Sequence, residues 1–312
     1  MNRRKWLAAI NVVMLVLGSL TLWYYASHQW EQRPPVWPQI DWALASISVL
    51  LAVAYALAYG YGWVLITRMM AIEVPVWMGF SIWGFSILGK YTPANVALVS
   101  YRVSAYMLHG DAKAQQVAGS LALESAMSIM AGISMLVLSV TLAGMSAFGG
   151  NATIRNAAAI LVILAALAGI ALLRPVKRAV LRLLRLDQAA EQITPLRIVL
   201  LLIYYVTAWV VISVSFFAMC RAFGATSLDW SQSAAIYTAA GLSGIVAIFS
   251  PSGIGVREGV MVGLLANSVP FELALAIALA ARVNSLAGDL TAIAIGVAGM
   301  KVLESRDKSR VD

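Results

Sequence analysis

The 312-residue sequence is poor in charge, cysteine and histidine, and each shortage removes a class of function. Only 12% of residues are Asp, Glu, Lys or Arg, about half of what a soluble domain carries. With 61% apolar residues and a mean hydropathy of +0.84, disordered, fibrous and soluble globular classes are excluded. Cys220 stands alone, so no intramolecular disulfide can form. His28 and His109 complete neither a zinc site nor a nucleophile–histidine set. No Walker-type phosphate loop occurs, so ATP-driven pumping needs a partner. Neither a metal nor a cofactor is expected, and no nucleic acid partner.

What the sequence does have is apolar length. A helix needs about 20 apolar residues to cross a hydrocarbon core about 30 Å thick. Residues 6–26 qualify behind Arg3, Arg4 and Lys5, and Tyr24–Ala26 is a poor signal-peptide cleavage site. An uncleaved first span with a cytoplasmic N-terminus is expected. Further spans fall at about 40–66, 114–147, 153–173, 196–222 and 270–300. The stretch Arg33-Pro34-Pro35-Val36-Trp37-Pro38 cannot continue a helix and reads as an outer loop. Trp23, Tyr24, Trp30, Trp37 and Trp42 sit at span ends, as interfacial anchors do.

Charge sets the orientation. The net charge of +8 is concentrated in Arg174, Lys177, Arg178, Arg182 and Arg185, and in a tail with Lys301, Arg306, Lys308 and Arg310. Both segments are expected in the cytoplasm of a plasma (inner) membrane protein, in contact with anionic lipid. Parity then puts Gly149–Asn151 outside and Arg68–Glu73 and His109–Lys113 inside. Segment 76–108 therefore enters and returns from the cytoplasm, and 230–268 from the outside. Their arms are short and broken at the tips by Pro and Gly, as expected of re-entrant or discontinuous helices.

The two halves share a plan. Each has a leading span, a second span, a broken hairpin and a long closing span (repeat 1 about 6–147, repeat 2 about 153–300). Pro93 to Glu124 is 31 residues, and Pro251 to Arg282 is again 31. The fold expected is an all-α polytopic membrane protein, one integral membrane domain built as an inverted-topology repeat. Transporters hold substrate at the midplane between such repeats.

Ionisable groups inside spans cost about 2.5–3.5 kcal/mol each at mid-depth and need a reason. Here they are Lys90, Arg102, Glu124, Arg257, Glu258, Arg282 and Asp289. At 1.5 Å per residue, Glu124 and Arg282 lie roughly 15–18 Å deep. One reading is buried ion pairs fastening the halves, with Glu124 joined to Arg282 or Arg257. However, four cations face three anions, which suits a polar cavity for an anionic headgroup. The tip Pro251-Ser252-Gly253-Ile254-Gly255-Val256-Arg257-Glu258-Gly259 lets backbone turn with φ > 0 and approach a ligand. The helix starting near Val256 is expected to offer free N–H groups to a phosphate. Lys90-Tyr91-Thr92-Pro93-Ala94-Asn95 is its counterpart in the first half.

Two of these stretches resemble the signatures of a known family. Gly89-Lys90-Tyr91-x-Pro93 followed by Arg102, and Pro251-x-Gly253-x-Gly255-x-Arg257-Glu258-Gly259, are similar to those of the flippase-like membrane domain of lysylphosphatidylglycerol synthases. The resemblance covers about residues 5–300. It implies a domain that moves a charged lipid between leaflets, with Lys90, Tyr91, Pro93, Arg102, Glu124, Gly253, Gly255, Arg257 and Glu258 as family site residues. Relatives often carry Gly after the first-hairpin proline, where this chain has Ala94 and Asn95. No soluble aminoacyl-transfer domain appears before Asp312, so a stand-alone member using lipid made elsewhere is expected.

The function expected is a translocase for a phosphate-bearing lipid, phospholipid or polyprenyl-phosphate-linked, in cell-envelope biogenesis, and not an enzyme. Its partners are the membrane lipid and the envelope lipid or glycan enzymes that supply it. Lys90, Arg102, Arg257 and Arg282 would attract the phosphate, and Glu124 and Glu258 would pair with them when the site is empty. An ion-coupled transporter of a small anion, with Glu124 or Asp289 titrating, and a membrane-embedded lipid transferase are the alternatives.

Overall fold

The computed structural model describes residues 39–92, 95–110, 112–143, 193–247 and 250–308. The expected spans 6–26 and 153–173, the loop 33–38, the basic segment 174–185 and Pro93 lie outside these residues. Every regular element among the described residues is helical. In chain order these are α1 (Trp42–Met69), α2 (Val76–Ser86), α3 (Val96–His109), α4 (Ala114–Ala143), α5 (Pro195–Ala222), α6 (Trp230–Val246), α7 (Val256–Leu265) and α8 (Phe271–Lys308). Turns of 3₁₀ helix at Ile87–Tyr91 and Pro251–Gly253 follow α2 and precede α7.

Local chemistry sets these boundaries. Asp41 accepts from the N–H groups of Ala43 and Leu44 to start α1, and Thr194 accepts from that of Arg197, with Pro195 behind it, to start α5. Asp229 and Gln232 close a capping box on α6. Pro75 precedes α2, where its missing N–H costs nothing.

Among the described residues, four helices are long and apolar enough to cross a membrane: α1, α4, α5 and α8 over Phe271–Leu303. Only 22% of the most apolar stretch of α1 and 39% of that of α5 is buried in protein. Their outward faces carry side chains such as Leu50 and Leu290, 68% and 65% exposed. In water such surfaces would aggregate; in lipid they are solvated. The chain is an all-α, multi-pass membrane protein.

The hairpin arms are too short to cross. At 1.5 Å per residue, the 11 residues of α2 and 10 of α7 reach roughly 16 and 15 Å. The 14 of α3 and 17 of α6 reach roughly 21 and 26 Å. All fall short of a core of about 30 Å. Each arm is thus shorter than a full span, and the two 3₁₀ tips touch each other.

Helix partners follow a reciprocal rule. The second spans of the two halves, α1 and α5, pack antiparallel. Ser48 Oγ donates to the Ser215 carbonyl at 2.6 Å and Ser215 Oγ to that of Ser48 at 2.7 Å. Farther along, Tyr204 Oη donates to the Ala58 carbonyl at 2.5 Å. The first hairpin's leading arm, α2, packs on α8, the closing span of the other half; likewise α6 packs on α4. Small residues permit this: a methyl on Gly84 would meet the Ala292 carbonyl oxygen at 2.3 Å, and one on Gly296 the Phe85 nitrogen at 2.2 Å. Gly60 is likewise a packing glycine, held against Phe80 and Trp83 of α2.

Candidate functional site

The two hairpin tips, with α1, α4 and α6, line a partly open cavity of about 430 Å³. Lys90, Asn95, Arg102, Glu124 and Arg257 line it beside the neutral polar groups of Tyr59, Ser125, Ser128, Ser250 and Ser252. Four of the seven charges expected inside spans thus line one cavity, and Arg282, Glu258 and Asp289 do not; the pairing also differs from expectation.

Glu124 pairs with neither Arg282 nor Arg257. Its Oε2 accepts from Arg102 NH1 at 2.6 Å. Arg102 is 2% exposed and is held on three sides: its Nε donates to Ser86 Oγ at 2.8 Å, and its guanidinium lies 4.2 Å from the centre of the Trp63 ring. The reason is hairpin geometry. The α3–α4 turn at 110–113 folds Arg102 and Glu124 back onto each other, whereas Arg282 belongs to another helix pair. Arg282 instead reaches Glu258 Oε1 and the Ser252 carbonyl, each at 3.4 Å, tying the second tip to α8.

The third pair joins the halves. Asp289 Oδ2 on α8 meets Lys90 Nζ at 2.5 Å and accepts from Tyr91 Oη at 2.6 Å. The first tip is thereby latched to the second half's closing span. Among the described residues, Arg257 has no carboxylate at salt-bridge distance. Its guanidinium lies 4.9 Å from the centre of the Tyr237 ring, and its buried NH2 has no hydrogen-bond partner. It is the cation left over by the three pairs.

The second tip needs its glycines for two different reasons. Ser252, Gly253 and Gly255 all adopt positive φ, at 55°, 67° and 87°. A methyl on Gly253 would also meet Gly244 Cα at 2.9 Å, so this glycine lets the two arms of the hairpin touch. Gly255 faces open space, and only its φ demands glycine. Pro251 opens the 3₁₀ turn. At the N-terminus of α7, expected from the sequence to offer N–H groups to an anion, Glu258 Oε2 accepts from the N–H of the cap residue Gly255 at 2.7 Å. In the first tip, Asn95 takes the left-handed conformation ahead of α3, with φ 53°. Thr92 accepts from the Ala97 N–H at 3.2 Å there.

Sequence reasoning overlooked the neutral groups around the charges. Tyr59, which donates to Ser128, and Ser86, Trp63 and Tyr237 all contribute. The available signal was a hydroxyl or aromatic residue with a polar edge inside an apolar run. Asn284 is a similar case. It is 4% exposed and donates to Ser48 Oγ at 2.6 Å, binding α8 to the α1–α5 pair.

Comparison with curated protein sequences gives no significant match. Residues 7–292 match the family described as "Lysylphosphatidylglycerol synthase TM region". That span includes both hairpins and every charged group of the cavity. With this coverage, the chain belongs to the lysylphosphatidylglycerol synthase transmembrane-region family.

Proposed function

We propose that the protein is a lipid translocase of the inner membrane, in which a phosphate-bearing headgroup crosses through the cavity while its tail stays in the bilayer. The observation that carries this reading is Arg257, a cation lining the cavity with a buried, unpartnered NH2. An ionised group inside a span costs up to about 2.5–3.5 kcal/mol on insertion scales, and for Arg257 the Tyr237 ring offsets only part of it. A phosphate oxygen pair matches its planar donors and removes that cost. The remaining charges are held in pairs and keep the cavity's shape.

The reciprocal helix partners, α2 with α8 and α6 with α4, support an inverted repeat. Rocking of one repeat against the other would expose the cavity alternately to each leaflet. Orientation follows the charge bias, with both termini in the cytoplasm. The lipid comes from envelope lipid or glycan synthesis enzymes, and the protein itself carries out no covalent step.

The test is movement of a fluorescent phosphodiester lipid in proteoliposomes of purified protein, read by quenching of the outer leaflet. Faster exchange than in protein-free vesicles is expected. Exchange at the protein-free rate would contradict the reading.

A further inference from the structure

Resting on that reading, we infer that the cavity selects lipids whose headgroup is a phosphodiester of single negative charge bearing uncharged hydroxyls, such as phosphoglycerol or one phosphosugar. Pyrophosphate-linked and aminoacylated lipids are excluded.

The inference comes from a charge count on described residues. Lys90 with Asp289, Arg102 with Glu124 and Arg282 with Glu258 are three closed pairs. In their ordinary ionised forms these cancel, and Arg257 leaves the site at +1. A monoanionic phosphodiester neutralises Arg257 and disturbs no pair. A second phosphate charge needs a second cation, and each available cation is already bonded to a carboxylate. Freeing one strands that carboxylate in a low-dielectric site. A headgroup with an added ammonium meets the mirror problem, because no carboxylate is free to receive it. It sets like charges together in a buried space.

The neutral groups specify the rest of the headgroup. Tyr59, Asn95, Ser125, Ser128, Ser250 and Ser252 line the cavity with hydroxyls and one amide. Tyr59, Ser125 and Ser250 already donate to Ser128 and to the Leu121 and Ile254 carbonyls, and can accept from hydroxyls of glycerol or a hexose. Asn95, Ser128 and Ser252 can also donate, and none adds charge. The tight hold on Arg102, by Glu124, Ser86 and Trp63, makes recruitment of a second guanidinium especially unfavourable.

The experiment uses the full chain in proteoliposomes and compares one acyl composition across headgroups. Phosphatidylglycerol, phosphatidylethanolamine, lysylphosphatidylglycerol and phosphatidic acid test charge. Polyprenyl phosphohexose and polyprenyl pyrophosphohexose test the same charge step on another tail. Phosphatidylglycerol and polyprenyl phosphohexose are expected to exchange roughly tenfold or more faster than the zwitterionic, cationic and dianionic members of their series. If only one of those two moves, the tail selects the source and the charge rule stands. Equal rates for phosphatidylglycerol, phosphatidylethanolamine and lysylphosphatidylglycerol would overturn the inference while leaving translocation intact. No movement of any lipid would instead overturn the reading on which it rests. A second measurement needs no transport: phosphatidylglycerol in detergent should raise the melting temperature of wild type more than phosphatidylethanolamine does. That difference should vanish in Arg257→Gln, and its persistence there would also overturn the inference.

Discussion

Arg102 and Glu124 meet at 2.6 Å across the α3–α4 turn, and Glu258 and Arg282 repeat the relationship between α7 and α8 with the charges exchanged. In each half the second hairpin arm is bound to the closing span by one ion pair, tight in the first half and longer and part-buried in the second. The first half puts the cation on the arm, the second puts it on the span. Such pairs hold the tips in place without contributing net charge to the cavity between them.

Removing one partner of the tighter pair should therefore be costly. Glu124→Gln leaves Arg102 charged and buried, a loss of about 3–5 kcal/mol. The melting temperature in detergent should fall sharply, and the exchange Arg102→Glu with Glu124→Arg should recover part of it. A melting temperature unchanged in Glu124→Gln would contradict the pairing.

This pair also marks where sequence reading stops. Apolar length placed α1, α4, α5 and α8 to within a few residues at most ends, and Pro251, Gly253 and Gly255 placed the second tip. Both follow from rules local to the chain. Pairing depends on which face each helix turns inward, and α1, α4, α5 and α8 are apolar nearly all round, so no polar stripe fixes that face. The sequence therefore leaves Glu124 open to Arg282 or Arg257 across the halves. Arg102 and Glu124 lie on helices joined by a short connection, and that is the cue for a hairpin partner. The role of Glu258 was obscured for a similar reason: one carboxylate serves both Arg282 and the Gly255 N–H.

The latch at the first tip should show the asymmetry of buried charge. Asp289→Asn strands Lys90, whereas Lys90→Met with Asp289→Leu removes both charges. The double variant should melt higher than Asp289→Asn alone. Equal or greater loss in the double variant would show that Lys90 and Asp289 are not coupled.

The two tip glycines should differ in cost. Gly255→Ala strains only its left-handed backbone, about 1–2 kcal/mol. Gly253→Ala adds a collision with Gly244 and should melt clearly lower. The reverse order in thermal scans would contradict the hairpin's close approach.

Orientation is open to labelling. In a Cys220→Ser background, Thr226→Cys should react with an impermeant maleimide on intact cells, and Lys113→Cys only after lysis. Both positions are exposed. The opposite pattern would invert the assignment, and labelling of both on intact cells would contradict the hairpin parity.

The central claim is that Arg257 receives the phosphate. The most direct measurement is lipid exchange in proteoliposomes for Arg257→Lys, set beside its melting temperature. Lysine keeps the charge but loses the planar, two-pronged donor geometry. Exchange should fall severalfold while the melting temperature stays near that of wild type. Exchange at the wild-type rate together with a lowered melting temperature would contradict the claim and make Arg257 a structural residue.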